Sequence, residues 1–71
     1  MKYIIVEIQV DASGNVATLV NQESDRLRAE SIYHQVLAAA AVSQLSKHGA
    51  VLMSDEGFCL LQDCYKHGEN D

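Results

Sequence analysis

No uninterrupted apolar stretch in these 71 residues approaches the roughly 18 that a membrane-spanning helix requires, which excludes such a span. Bases are scarce: Lys2, Arg26, Arg28, Lys47 and Lys66 stand scattered against ten acids, for a net charge of −5. A nucleic-acid backbone would be repelled by that balance, so nucleic acid is not an expected partner. Nothing matches a nucleophile elbow, a phosphate-binding loop or a dinucleotide fingerprint. No catalytic residue is assigned, and an enzyme is not expected.

Cysteine is limited to Cys59 and Cys64, five apart in a strand-like run. An extended chain holds such a pair about 16 Å apart on opposite faces, beyond disulfide reach. Reduced thiols suit a cytoplasmic protein. Cys64 and His67 have ligand-like spacing, but structural zinc takes four ligands in two tight pairs and no second pair exists. "DASGN" resembles the start of a calcium loop, yet position 22 is Gln where the closing carboxylate would fall. No metal or other cofactor is expected.

What is present is a folded chain, since 48% of residues are hydrophobic. It reads as one soluble domain, 1–71, with a polar, frayed tail over 67–71. A domain of this size hides only about 60% of its unfolded surface, so its stability is thin. The opening "MKYIIVEIQV" is interrupted by Glu7 and Gln9 and lacks a small-residue cleavage site, so it reads as a strand rather than a signal peptide. Ile4, Val6, Ile8 and Val10 fall on one side of it, and Tyr3, Ile5, Glu7 and Gln9 on the other. The more apolar side is expected to face the core.

Gly14 suits the left-handed position of a three-residue hairpin loop, Ala12 to Gly14, and Asp55, Glu56 and Gly57 repeat the device. Between the hairpins a helix is expected from about Asp25 to Ser46, capped by Ser24, with Lys47 and His48 at its negative end and Gly49 terminating it. The order strand, strand, helix, strand, strand predicts an α+β fold, ββαββ. Its four-stranded antiparallel sheet runs 2-1-3-4, covered on one face by the single long helix.

The helix contains "YHQVLAAAAVSQL", four consecutive alanines. At 100° per residue, Ala29, Tyr33, Val36 and Ala40 form an arc flanked by Ile32 and Leu37, fit to cover the sheet. Ala38, Ala41, Val42 and Leu45 form a second apolar arc nearly opposite, where small side chains would let another helix approach. The uncovered sheet face raises the same prospect. There Tyr3 and Ile5 are expected, joined by Val51 with Met53 and Leu61 with Tyr65. The candidate interface residues are therefore Tyr3, Ile5, Ala38, Ala41, Val42, Leu45, Leu61 and Tyr65. Strand 4 is an edge without proline and with one charge, offering a third route to a homodimer.

"YIIVEIQV", the hairpin glycine, "AESIYHQVLAAAAVS", "HGAVLM" and "EG" together resemble a group of small uncharacterised proteins of prophages and mobile elements in gut Firmicutes. The likeness spans nearly the whole chain and is most specific over residues 33 to 43. It implies a bacterial or phage cytoplasmic origin and a part in virion assembly, and it carries no catalytic residue. Cys59 and Cys64 are not features of that group.

Two functions follow as expectations. One is a self-associating interaction module, a phage or mobile-element accessory. The other is an acidic decoy or inhibitor that binds a host protein through its negative charge. The acids are spread along the chain rather than gathered, which favours the first.

Overall fold

The computed structural model describes residues 1–67. Its elements are β1 (Tyr3–Val10), β2 (Val16–Glu23), α1 (Arg26–Ala41), β3 (Lys47–Ser54) and β4 (Cys59–Lys66). All strand pairings are antiparallel, in the order β2-β1-β3-β4. The fold is the α+β arrangement expected.

Both hairpins close as the glycines require. Gly14 and Gly57 have φ of 88° and 91°. Asp11 N–H donates to Asn15 C=O at 3.1 Å and Ser54 N–H to Phe58 C=O at 2.9 Å, so each loop holds three residues. The Asp11 carboxylate accepts from the N–H groups of Ser13 and Asn15, which commits it to the turn rather than to a cation.

The helix is shorter than its apolar pattern predicts. Each strand has eight residues, about 26 Å, and the sixteen-residue helix spans about 24 Å, whereas 22 residues would overshoot the sheet by a turn or more. Its cap is Asp25, not Ser24: Asp25 is extended, and its carboxylate accepts from Leu27 N–H at 3.1 Å. Lys47, His48 and Gly49 belong to β3 rather than to the helix end. Gly49 is instead a point of close strand approach, where a Cβ would lie 2.7 Å from the Asp63 carbonyl oxygen.

The helix end is held from elsewhere. His67 donates from Nε2 to the Ala40 carbonyl at 2.7 Å, and its N–H donates to Ser46 C=O at 2.8 Å. His67 is thus fixed rather than frayed, its ring bonded to the last turn of α1 and its backbone to the residue before β3. Residues 68–71 of the expected tail lie outside the described residues.

The core lies between α1 and the two central strands. Ile5, Ala29, Tyr33, Ala50 and Leu52 are buried together, with Tyr3, Ile32, Val36, Leu37, Leu60 and Leu61 packed against them. Ala29 and Ala40 are fully buried. Part of the alanine content therefore serves the helix–sheet contact, where a small side chain lets the helix lie low on β3.

Candidate interface on the open sheet face

The orientation of β1 is the reverse of the sequence expectation. Ile5 is completely buried beneath the helix and Tyr3 packs beside it, so the side with Glu7 and Gln9 is the covered one. Ile5 pairs with Leu52 and Leu52 with Leu61, which sets Leu61 on the covered side as well. Tyr65, opposite His48, shares that side, with its ring parallel to that of His67. Of the candidate interface, Tyr3, Ile5, Leu61 and Tyr65 therefore do not belong to the open face. A helix can cover the less apolar side of a strand when the partners opposite, here Ala50, Leu52 and Tyr33, complete the core.

The open face is built from the other alternate set. Residues directly opposite in a sheet share a face. One row joins Val20, Val6, Val51 and Gln62, and the next joins Thr18, Ile8, Gly49 and Cys64. Flanking them are Gln22, Ile4 and Met53 at one end, and Val16, Val10, Lys47 and Lys66 at the other. Val51 and Met53 fall where the sequence reading put them. Ile4, Val6, Ile8 and Val10 are shielded only partly, and Val16 and Val20 on the edge strand are 64% and 59% exposed.

Around Gly49 lies an open hollow of about 360 Å³, lined in part by Ile8, Val51, Lys47, Gln62 and Cys64. A shift of register between Leu52 and Met53 sets Cys59 opposite Met53, while Cys64 lies opposite Gly49. Both cysteines therefore oppose open-face residues, contrary to the opposite faces expected, because an irregular step resets the alternation. Both thiols are free and exposed.

Charge is distributed unevenly between the faces. Among the strand positions of the open face the only charged residues are Lys47 and Lys66, in a chain of net charge −5. Glu7 and Asp63 flank Ala50 on the covered side, while Asp55 and Glu56 occupy the hairpin loop at the end opposite the lysines.

On the covered side Glu7 accepts hydrogen bonds from Gln9 Nε2 at 2.9 Å and from the His48 ring at Nε2. Burial alone would raise the Glu7 pKa, but the bonds from Gln9 and His48 and the His48 charge outweigh it, and the net shift is downward. His48 is buried, and its Nδ1 has no hydrogen-bond partner. This carboxylate–imidazole pair escaped the sequence reading, which assigned His48 to the helix end. The signal was available in the register, since Gln9 and His48 are opposite and Glu7 is two pairs away on the same face. Burial also raises the Tyr33 phenol, helped by the charges of Asp63 and Cys59.

Of the second arc only Ala38 and Ala41 lie in α1, with Val42 as its cap and Leu45 beyond its end, so the arc is shorter than expected. Ala38, Ala41 and Val42 are exposed, Val42 at 82%, and Leu45 is half-buried. No cluster of three metal-ligating side chains occurs among the described residues, and no helix there is long and apolar enough to cross a membrane. In comparisons with protein-family models, curated proteins and solved structures, nothing matches the chain.

Proposed function

We propose that this protein is a non-enzymatic interaction module that self-associates through the open face of its sheet. The observation that carries this reading is the contiguous apolar surface of Ile4, Val6, Ile8, Val10, Val16, Val20, Val51 and Met53. Four strands spaced about 4.8 Å apart and eight residues long give a projected face of about 500 Å². Side-chain relief enlarges that area toward the roughly 600 Å² per partner at which specific interfaces begin. A patch of that size on a small protein is a contact surface in waiting.

A second copy suits the face because an apolar surface is complementary to itself, as two-fold dimers require. Catalysis has less support: Glu7 and His48 point at each other, and the remaining ring nitrogen is buried. The decoy reading needs gathered carboxylates. Here Glu7 and Asp63 lie on the covered side, and Asp55 and Glu56 in a loop. The resemblance to prophage proteins supports placing the module in a bacterial cytoplasm, as an accessory of a phage or mobile element.

Sedimentation equilibrium at micromolar concentration tests the reading. A mass twice 7.8 kDa is expected, with an unfolding midpoint that rises with concentration. Val51→Asp should give monomers by burying an unpaired carboxylate, and the β-branched Val51→Thr should weaken association in the same direction. Ala41→Glu, on the second helix arc, should leave the dimer intact. A wild-type mass of 7.8 kDa at all concentrations, or a dimer split by Ala41→Glu and indifferent to Val51, overturns it.

A further inference from the structure

Resting on that self-association, we infer that the second copy docks with its strands reversed, β1 over β1 and β3 over β3, about a two-fold axis running across the strands. Sheets stack about 10 Å apart, and two in-plane axes are compatible with a symmetric face-to-face pair. An axis along the strands keeps like ends together. Lys47 and Lys66 of one copy would then face Lys47 and Lys66 of the other, four ammonium groups across a gap no wider than the screening length at about 0.1 M salt.

An axis across the strands exchanges the ends. The lysine end of each copy then lies over the end where Asp55 and Glu56 form the loop, beside Lys2, and Glu23 closes β2. Asp11, which follows Val10 at the lysine end, comes over the Lys2 end of β1, so each rim meets charges of the opposite sign, and the absence of acids from the strand positions of the open face leaves the rim as the place where the lysines find partners. With the axis between the two central rows, Val51 of the second copy comes over Gly49 and enters the hollow. Symmetry seats a valine in both hollows at once. Like-charge juxtaposition thus selects the orientation, while the apolar rows supply the adhesion.

Charge neutralisation reads the orientation by the sign of its effect. Lys47→Gln with Lys66→Gln removes the lysine partners of the loop acids in the reversed pair and should raise the dimer dissociation constant by roughly threefold to tenfold at low salt, given several exposed ion pairs. Raising salt should likewise weaken the wild-type dimer. In the alternative orientation the same variant relieves repulsion between like ends and tightens the dimer, as does salt. Tightening, or a dissociation constant indifferent to both charge and salt, overturns the reversed orientation while leaving self-association standing. A wild-type chain that stays monomeric removes the reading on which it rests.

Discussion

The two faces of this sheet are made from the same four strands, yet they are built on different principles. On the covered face apolar residues alternate with polar ones, and Gln9 and His48 both bond to Glu7 beside Ile5, Ala50 and Leu52. On the open face β1 presents only aliphatic side chains, and its charges are two terminal lysines. Among the described residues only Ile5 and Leu52 are large side chains fully removed from water. The difference shows that the most apolar surface of a small domain need not be its core: the covered side has lateral order and the open side has area.

The sharpest way to break the comparison is to truncate one side chain on each face. Ile5→Ala should cost about 2–5 kcal/mol by leaving a cavity under the helix, measured by urea unfolding. Ile8→Ala, on a half-shielded residue, should cost about 1 kcal/mol in protein diluted to monomer. Equal costs would mean that the two faces are buried alike. Next in size is Gly49→Ala. Its Cβ would meet the Asp63 carbonyl at 2.7 Å and Cys64 Cβ at 3.1 Å, so β4 must move, at about 1–3 kcal/mol.

Gly14→Ala and Gly57→Ala separate space from conformation, because neither Cβ would touch anything within 4 Å while both backbones are left-handed. A loss of about 1 kcal/mol is expected from the backbone alone. Asp25→Ala should cost about 1 kcal/mol through the lost helix cap, and Ser24→Ala much less, by thermal unfolding.

The smallest effect expected is with pH. Glu7 and Asp11 both titrate below the ordinary carboxylate range in the folded chain, Glu7 through the net effect of burial and its bonds to Gln9 and His48, and Asp11 through the Asn15 N–H and its other turn bonds. A lowered folded pKa means that the unfolded chain binds the proton more readily. The stabilisation is therefore full above the ordinary range and is lost as pH falls through the folded values. Glu7→Gln should flatten that acid limb, as followed by circular dichroism in acid titrations.

Much of the fold could be read from local signals. Alternation marked the strands, and the loops of Gly14 and Gly57 follow from the need for positive φ in a three-residue turn. Ala29, Tyr33 and Ala40 fall on the buried helix arc because helical spacing alone puts them there. What was not legible depends on distance along the chain. Helix length was limited by the strands it spans, so the apolar pattern through Leu45 overstated it. The face of β1 was misassigned because alternation says which residues share a side but not which side meets a helix 20 residues later. His48 and His67 were misplaced for the same reason, since the first has its partner in β1 rather than at the helix end and the second reaches α1 rather than fraying.

The strand order also governs how the chain comes to be made. β1 lies between β2 and β3, but β3 follows it by more than 35 residues, from Val10 to Lys47. At ribosomal rates of about 5–20 residues per second, the gap lasts roughly 2–7 seconds. Once β2 is complete at Glu23, and until β3 follows, the β1–β2 hairpin has both sides bare and an unpaired flank of backbone donors and acceptors, the features that draw nascent chains together. The central place that gives β1 a strand on either flank in the finished protein leaves one of those flanks bare during synthesis.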